Sequence, residues 1–587
     1  MSRDRPVRIG NCSGFYGDRL AAAREMVEGP EPIDVLCGDY LAELTMLILA
    51  KAQAKDPAAG YATTFLTQMR EVLGTCLEKG IKVVSNAGGL NPAGLAAAIE
   101  ALGTGARVAH VEGDDLRGSL GAITPPVEGK PVSANAYLGG WGIAEALAAG
   151  ADVVVTGRVT DASLVVGPAA WWHGWARSDL DALAGAVVAG HVIECGPQAC
   201  GGNYPFLAEI TDRRYPGFPI AEVAADGSSV ITKQPGTGGL VSVGTVTAQL
   251  LYEIAAPAYL GPDCTTHFDT IAVARQGPDR VAISGVRGSA PPPTLKVALN
   301  DAGGFRNTMT LVLTGLDIEA KAARAEELLF GILGGRERFA AADVRLLRFD
   351  RPDAPSNDQA TAHLRITVKD PDPRLVGRAF SGAAMELALG GYAGFHTTTP
   401  PTAESAYGVY RPAAVPRSAV THTVVLPDGT RRTVADPQVG GAPDDIGATR
   451  GHVGPADPAA HDHERARVGE PGGGPRRRVP LGEICGARSG DKGGDANVGV
   501  WTRTDAEYAW LRGFLTAEKA RELLGPEAAD LPIEVYALPN LRALNVVVHG
   551  ILGDGVASSV RPDPQAKGLG EYLRSRVVEI PESLLGR

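Results

Sequence analysis

The chain has 587 residues, 44% apolar and 21% charged, with a net charge of -11, more than one core can organise, so several globular domains are expected. An acidic balance without a concentration of Lys and Arg excludes a nucleic-acid surface, whose phosphate contacts need clustered cations. No run of about eighteen apolar residues is present, which excludes a membrane-spanning helix.

The N-terminal MSRDRPVRIGNCSG passes from charged residues into a short strand with no apolar signal core. Seven scattered cysteines, an odd number, suit reduced thiols better than a disulfide framework, and the expected compartment is the cytoplasm. From residue 7 onward, Val/Ile-rich runs alternate with Ala/Leu-rich stretches of helical period, the pattern of βαβ units. Strands are expected at 7–14, 33–39, 81–88, 106–115 and 151–159, with helices near 17–28, 41–52, 61–79, 92–102 and 136–149. Each strand ends in Gly with polar groups: Asn11 and Ser13, Asp39, Asn86, Glu112 and Asp114, then Arg158 and Asp161. In a parallel sheet those ends share one edge, where open α/β proteins place their ligands. The same residues also serve as turn formers and helix caps, and one residue taken singly fits that plainer role better.

The turn NAGGLNP at 86–92 carries Gly88 and Gly89, whose backbone could approach an anion, with Asn91 as a helix cap and Pro92 at the first helical position. It is neither GxGxxG nor a P-loop, so no nucleotide cofactor is expected. WWHGW at 171–175 reads as packing, with His173 structural. The stretch GHVIECGPQACGGNYP at 190–205 ends an apolar run in Glu194 and Cys195. Two chemistries fit it: Glu194 as a general acid or base raised by burial, or Cys195 as a thiolate nucleophile. A small buried Cys195 is an equally good reading, and two cysteines five apart do not make a zinc site. Lys233 precedes a Gly-rich loop and a helix starting near Ser242, suited to phosphate or carboxylate and also ordinary as a loop.

Residues 262–434 change to α+β texture, with two strand-and-helix repeats suggesting an open-faced sandwich. The segment 435–478 is rich in Pro, Gly, Asp and His and reads as a flexible linker; its His461, Asp462 and His463 are given no role. A compact last domain covers 479–587, with strands near 481–487, 497–503, 532–538 and 544–549 and helices near 506–524 and 566–576. It opens with ARSGDKGGDANVGV, where Ser489, Asp491, Lys492, Asp495 and Asn497 crowd round glycines, a composition pointing to a ligand or an interface. The expected fold class is α/β: an N-terminal doubly wound, mostly parallel sheet over 1–261, an α+β middle region and a small α+β C-terminal domain.

GNCSGFYGD, GDYLAEL at 38–44, NAGGLNP, GRVTDASL, ECG at 194–196 and SGDKGGDAN at 489–497 occur in the order in which they stand in the acyclic terpene utilisation family named after AtuA. The chain resembles that family over 7–434, and 479–587 resembles its small ferredoxin-like domain. The resemblance implies a place in citronellol and geraniol breakdown through acyl-CoA intermediates, without a settled reaction. Together with the residues, it leads to the expectation of a lyase, either a hydro-lyase or a carbon–carbon lyase, acting on a branched acyl-CoA or carboxylate. Asp161 or Glu194 would move the proton, Arg158 or loop N–H groups would stabilise an oxyanion, and Lys492 would meet a phosphate or carboxylate from the C-terminal domain, within one chain or across a dimer. Coenzyme A would enter only as part of the substrate; no other cofactor, metal, nucleic acid or membrane partner is expected, and the protein is expected to be a homo-oligomer, a dimer or higher. Two other readings stay open: a Cys195-dependent thioester hydrolase or acyltransferase, and a non-catalytic acyl-CoA-binding or scaffold subunit.

Overall fold

The computed structural model describes residues 5–440 and 474–585. The chain forms two compact units, one of Met1–Asn300, Tyr410–Val556 and Gln565–Arg587 and the other of Asp301–Val409 and Ala557–Pro564. Among the described residues no helix is long and apolar enough to cross a membrane.

The first unit begins with β1 (Val7–Asn11), α1 (Ala22–Glu28), β2 (Val35–Gly38), α2 (Glu43–Lys55), α3 (Thr63–Lys79), β3 (Lys82–Ser85), α4 (Pro92–Glu100) and β4 (Val108–Glu112). It continues through β5 (Ser133–Ala136), α5 (Trp141–Ala148), β6 (Val153–Thr156), α6 (Ser163–His173), α7 (Leu180–Ile193), β7 (Pro219–Val223), β8 (Ser229–Lys233) and α8 (Val243–Leu250). The five expected strands lie side by side and parallel in the order β1, β2, β3, β6, β4. Antiparallel strands extend both edges: β7, β8, Arg280–Ser284 and Ala272–Gly277 beyond β1, and Thr423–Val425 and Arg431–Thr433 beyond β4.

The reason these strands are apolar without alternation is that both faces are covered. Val35, Cys37, Val84 and Val154 enter a core shared with α5, α6 and α7, while Leu36, Val83, Val153 and Val155 enter a second one with α1, α3 and α4. Successive residues of one strand thus feed opposite layers, as the period of two requires. The helix expected from 136 starts at Trp141, and the residues before it pair as β5 with Val297–Asn300.

In the same unit the C-terminal segment builds a four-stranded antiparallel sheet in the order Gly486–Lys492, Asp495–Trp501, Ala543–Val548, Ile533–Leu538. The first strand starts later than expected because it continues through the polar SGDK stretch, leaving Gly493-Gly494 as a two-residue turn. The long helix expected at 506–524 breaks at Leu515, and Thr516 caps the second piece through Lys519 N.

The second unit has its own core. Met309, Leu311, Leu313, Leu364 and Ile366 from antiparallel strands meet two helices, Ile318–Leu333 and Phe380–Gly390, on one face, the open-faced arrangement of the expected repeats. Residues 557–564 run along its strands, where Arg306 and Arg365 donate to the carbonyls of Ser559 and Val560. Of the expected linker, 441–473, with His461, Asp462 and His463, lie outside the described residues, while Arg476–Pro480 pairs as a strand with Val577–Pro581.

Candidate functional site

The carboxyl ends of the parallel strands build a continuous polar layer. At the end of β1, Asn11 accepts Ser13 N through Oδ1 and donates to the Glu194 carbonyl at 3.4 Å, joining the first strand to the end of α7. The Ser13 hydroxyl is used locally, on the Phe15 carbonyl. A Cβ on Gly14 would stand 2.7 Å from the Cys195 carbonyl carbon, so only glycine lets these two segments touch. After β2, Asp39 accepts Leu41 N at 3.0 Å and Asn86 Nδ2 at 2.5 Å, and Asn86 Oδ1 accepts Tyr40 N. Two neighbouring strand ends are thereby locked together.

Arg158, after β6, is 4% exposed at its side chain and lies over the Tyr137 ring at 4.2 Å. Its Nη1 donates to the Leu41 carbonyl and to Asp161 Oδ1 at 2.9 Å. Asp161 keeps 29% of its side-chain surface, as does Glu43 at the start of α2, which accepts the Tyr137 hydroxyl at 3.1 Å. Lys296 is 45% exposed, 3.9 Å from Glu43 and 4.6 Å from the Tyr137 ring. Charged groups that are hemmed in by protein yet still reach solvent line a cleft and do not belong to a packed core.

Glu194 lies deeper, with a 9% exposed side chain and Oε1 3.4 Å from His191 Nδ1. Neither ring nitrogen of His191 has a hydrogen-bond partner among the described residues, and burial lowers its pKa to about 4, which leaves it neutral. Glu253 follows α8 with φ at +56°, a left-handed backbone that is strained for a glutamate.

The C-terminal sheet holds this residue in place. Asn497 Oδ1 accepts Glu253 N at 2.9 Å, its Nδ2 donates to the Leu251 carbonyl at 2.7 Å, and Asn545 donates to the carbonyls of Ile254 and Ala255. Gly490 and Gly499 leave room for Tyr252 and Leu251, where a Cβ would come within 2.4 Å. The hairpin so docked brings Lys492 Nζ to the Glu253 carbonyl at 3.0 Å and Asp491 to within 3.6 Å of Lys567, whose Nζ also meets Glu253 Oε1 and the Tyr252 hydroxyl. Arg488 lies over the Tyr252 ring and donates to Gln198, just beyond the ECG motif.

Burial and crowding set the protonation of these groups. Burial, then the charge of Asp161, pushes Asp39 and Glu194 well above the usual carboxylate range. Asp161 is raised by burial, against the pull of Arg158. Glu43 is lowered, burial being outweighed by Lys296 and Arg158. Burial and Glu253 carry Asp491 up to about 7, and burial and Lys296 bring Lys492 down to about 8. The Cys195 thiol is pushed well up by burial and by Glu194, Glu253 and Asp39.

The layer therefore gathers Asn11, Asp39, Asn86, Arg158, Asp161, Glu194, Cys195, Asp491, Lys492 and Asn497 from the expected residues. Others go elsewhere. Glu112 pairs with His110 and Arg431, because β4 takes the antiparallel strand Thr423–Val425 on its open side. Asp114 is buried beneath the layer, accepting Arg158 N and Asn135 Nδ2 at 2.8 Å each, and burial lifts it to about 7. Gly88 lies against the Thr156 carbonyl and Gly89 against Leu49, so packing accounts for both. Lys233 binds the Thr237 carbonyl and faces Asp279. Ser489 accepts Gly570 N and donates to the Ala566 carbonyl inside the C-terminal domain, and Asp495 accepts His549 and Gly550 N. His173 Nε2 donates to the Val223 carbonyl, and the ring stacks on Trp175 as a packing residue.

Glu43, Lys296, Glu253 and Tyr259 were not singled out from the sequence. Two signals were there to use: Glu43 lies inside GDYLAEL, and Lys296 interrupts the apolar strand TLKVALN. Among the described residues no group of three or more His, Cys, Asp or Glu is arranged to hold a metal ion. A small pocket bordered by Trp141, Asp263, Arg417 and His422 is a separate place that none of the layer's residues lines.

A family model described as acyclic terpene utilisation family protein AtuA matches residues 7–426, and one described as the AtuA ferredoxin-like domain matches 479–579. No curated protein sequence matches the chain. The first match covers most of the chain, with both the strand-end layer and the ECG motif inside it, and the second covers the docked hairpin: the chain belongs to the acyclic terpene utilisation family of AtuA, with its ferredoxin-like domain.

Proposed function

We propose that this protein is an enzyme of acyclic terpene utilisation, a lyase of the hydro-lyase or carbon–carbon type, acting on a branched acyl-CoA or related carboxylate. The observation that carries the reading is a pair of carboxyl groups in contrasting surroundings. Asp161 is ion-paired to Arg158 and reaches solvent, while Glu194 is buried and raised well above the usual carboxylate range. Such a contrast assigns base and acid.

In the hydro-lyase form, Asp161 removes a proton from the carbon next to the carbonyl, the electron pair forms the new double bond, and the carbon–oxygen bond of a β-hydroxyl breaks. Glu194, held protonated, gives its proton to that oxygen, which leaves as water. Arg158 faces the charge that develops on the carbonyl oxygen, in a cleft whose low polarisability strengthens the interaction. The raised thiol of Cys195 argues against the thiolate route, since burial and three carboxylates oppose its ionisation and outweigh the pull of Lys567.

The test is a mass-spectrometric survey of branched acyl-CoAs and free acids with the full chain, Asp161→Asn and Glu194→Gln. The expected result is water or fragment loss from at least one substrate by the wild type, and a fall of about 10²-fold or more in each variant. Unchanged turnover in both variants refutes the acid/base assignment. Tight binding without turnover across the panel favours the non-catalytic subunit.

A further inference from the structure

We propose that Lys296 and Lys492 together form a carboxylate-binding subsite beside Asp161, so that the substrate carries a free carboxylate in addition to its reacting carbon. This rests on the reading that Asp161 faces the substrate. Lys296 comes from the strand that pairs with β5, and Lys492 from the hairpin of the C-terminal domain. They meet across one aromatic side chain. Tyr410 packs with Tyr137, over which Lys296 lies at 4.6 Å, and it also meets Gly493, the neighbour of Lys492, where a Cβ would come 2.9 Å from Tyr410 Cε1.

Neither ammonium group is hydrogen-bonded to a carboxylate among the described residues. Lys492 Nζ donates to the Glu253 carbonyl and lies 5.9 Å from the Tyr259 ring, with no carboxylate within 4.0 Å among the described residues. The nearest carboxylate to Lys296 is Glu43, at 3.9 Å and beyond hydrogen-bond length. Two lysines brought together from distant parts of the chain, each left with open donors, attract an anion with two oxygens. Their mutual repulsion is part of what brings Lys492 down to about 8.

A singly charged carboxylate suits the surroundings better than phosphate. Glu43, Asp161 and Glu253 border the cleft and would repel the two charges that phosphate concentrates on one group, Arg158 is already paired with Asp161, and the glycines of the 86–92 turn are taken up by packing against Thr156 and Leu49.

Calorimetric titration of the full chain with glutarate, its neutral dimethyl ester and inorganic phosphate tests the subsite, with Lys296→Met, Lys492→Met and Lys492→Arg as variants. Glutarate is expected to bind one per chain, at least tenfold more weakly to either Met variant and within about threefold of wild type to Lys492→Arg; the ester does not bind. Equal glutarate affinity in wild type and both Met variants overturns the subsite, as does phosphate or the ester binding more tightly than glutarate. Should a Met variant fail to fold, amine acylation of wild type at pH 8 read by mass spectrometry replaces it. Glutarate must then protect both lysines, and unprotected labelling overturns the proposal. Asp161→Asn separates the two readings: it keeps glutarate binding while losing turnover. Retained turnover refutes the base without touching the subsite, and lost binding in the lysine variants alone bears on the subsite.

Discussion

Replacing Asn497 with Leu tests whether the C-terminal sheet holds the strained Glu253 in place. Asn497 is completely buried; its side chain accepts Glu253 N at 2.9 Å and donates to the Leu251 carbonyl at 2.7 Å and to Asn545 Oδ1 at 2.9 Å. Leucine fills a similar volume, so water does not take over these bonds. The buried Glu253 N–H and Leu251 C=O are left without partners, at about 1–3 kcal/mol each, and Asn545 loses one contact. The expected loss is about 3–5 kcal/mol, read from urea unfolding as a lower midpoint at unchanged slope. Turnover should fall as well, because Asn497 is the partner that holds the N–H of Glu253 at its strained φ of +56°. Asn540→Ala is the control. It removes bonds to the carbonyls of Phe268 and Ile271 from an exposed position, so about 1 kcal/mol should be lost with turnover intact. A loss below about 1 kcal/mol in Asn497→Leu, or full activity, refutes the reasoning.

Asp114→Asn keeps an oxygen for Arg158 N and Asn135 Nδ2 while removing a buried acid lifted by burial to about 7. A raised folded pKa contributes stability that is fully present below the unfolded value near 4 and lost as pH rises through about 7. The wild type should therefore weaken relative to the variant between pH 4 and 8, by up to about 4 kcal/mol; parallel stability curves from pH 4 to 8 would sink this. Cys195→Ala should keep turnover within about threefold, and iodoacetamide should label Cys195 slowly at pH 7.5, since its thiol is pushed up by burial and Glu194. Abolished activity in that variant would return the thiolate route to first place. Loss of turnover in Asp161→Asn and Glu194→Gln, and loss of glutarate binding in the lysine variants, complete the set.

Residues close in sequence carried much of the site. The Val/Ile runs read as doubly covered strands because β1, β2, β3, β4 and β6 pack helices on both faces, and that pattern is local. Their polar ends were equally visible, and the bond from Asn11 to the Glu194 carbonyl shows why ECG belongs beside the first strand end. Glu112 looked the same in sequence as Asp39 yet went elsewhere, since its fate depends on Thr423–Val425, some three hundred residues away, closing the sheet edge. Nothing near Glu112 signals that pairing.

The protonation states and the meeting of charges likewise needed the tertiary structure. Lys492 reads as one charge among several in SGDKGGDAN; only docking of the hairpin brings it to Glu253, 239 positions away. Burial, which raises Glu194 and lowers Lys492, is a property of everything packed around a group and has no local signature. By itself the sequence determined the strand-and-helix order, the family and the polar strand ends, because periodicity, turn chemistry and motif order act over a few residues. Tertiary structure alone decided which of those ends face one cleft and which cations join them, because long-range strand pairing and domain docking set distances and desolvation that no local stretch encodes.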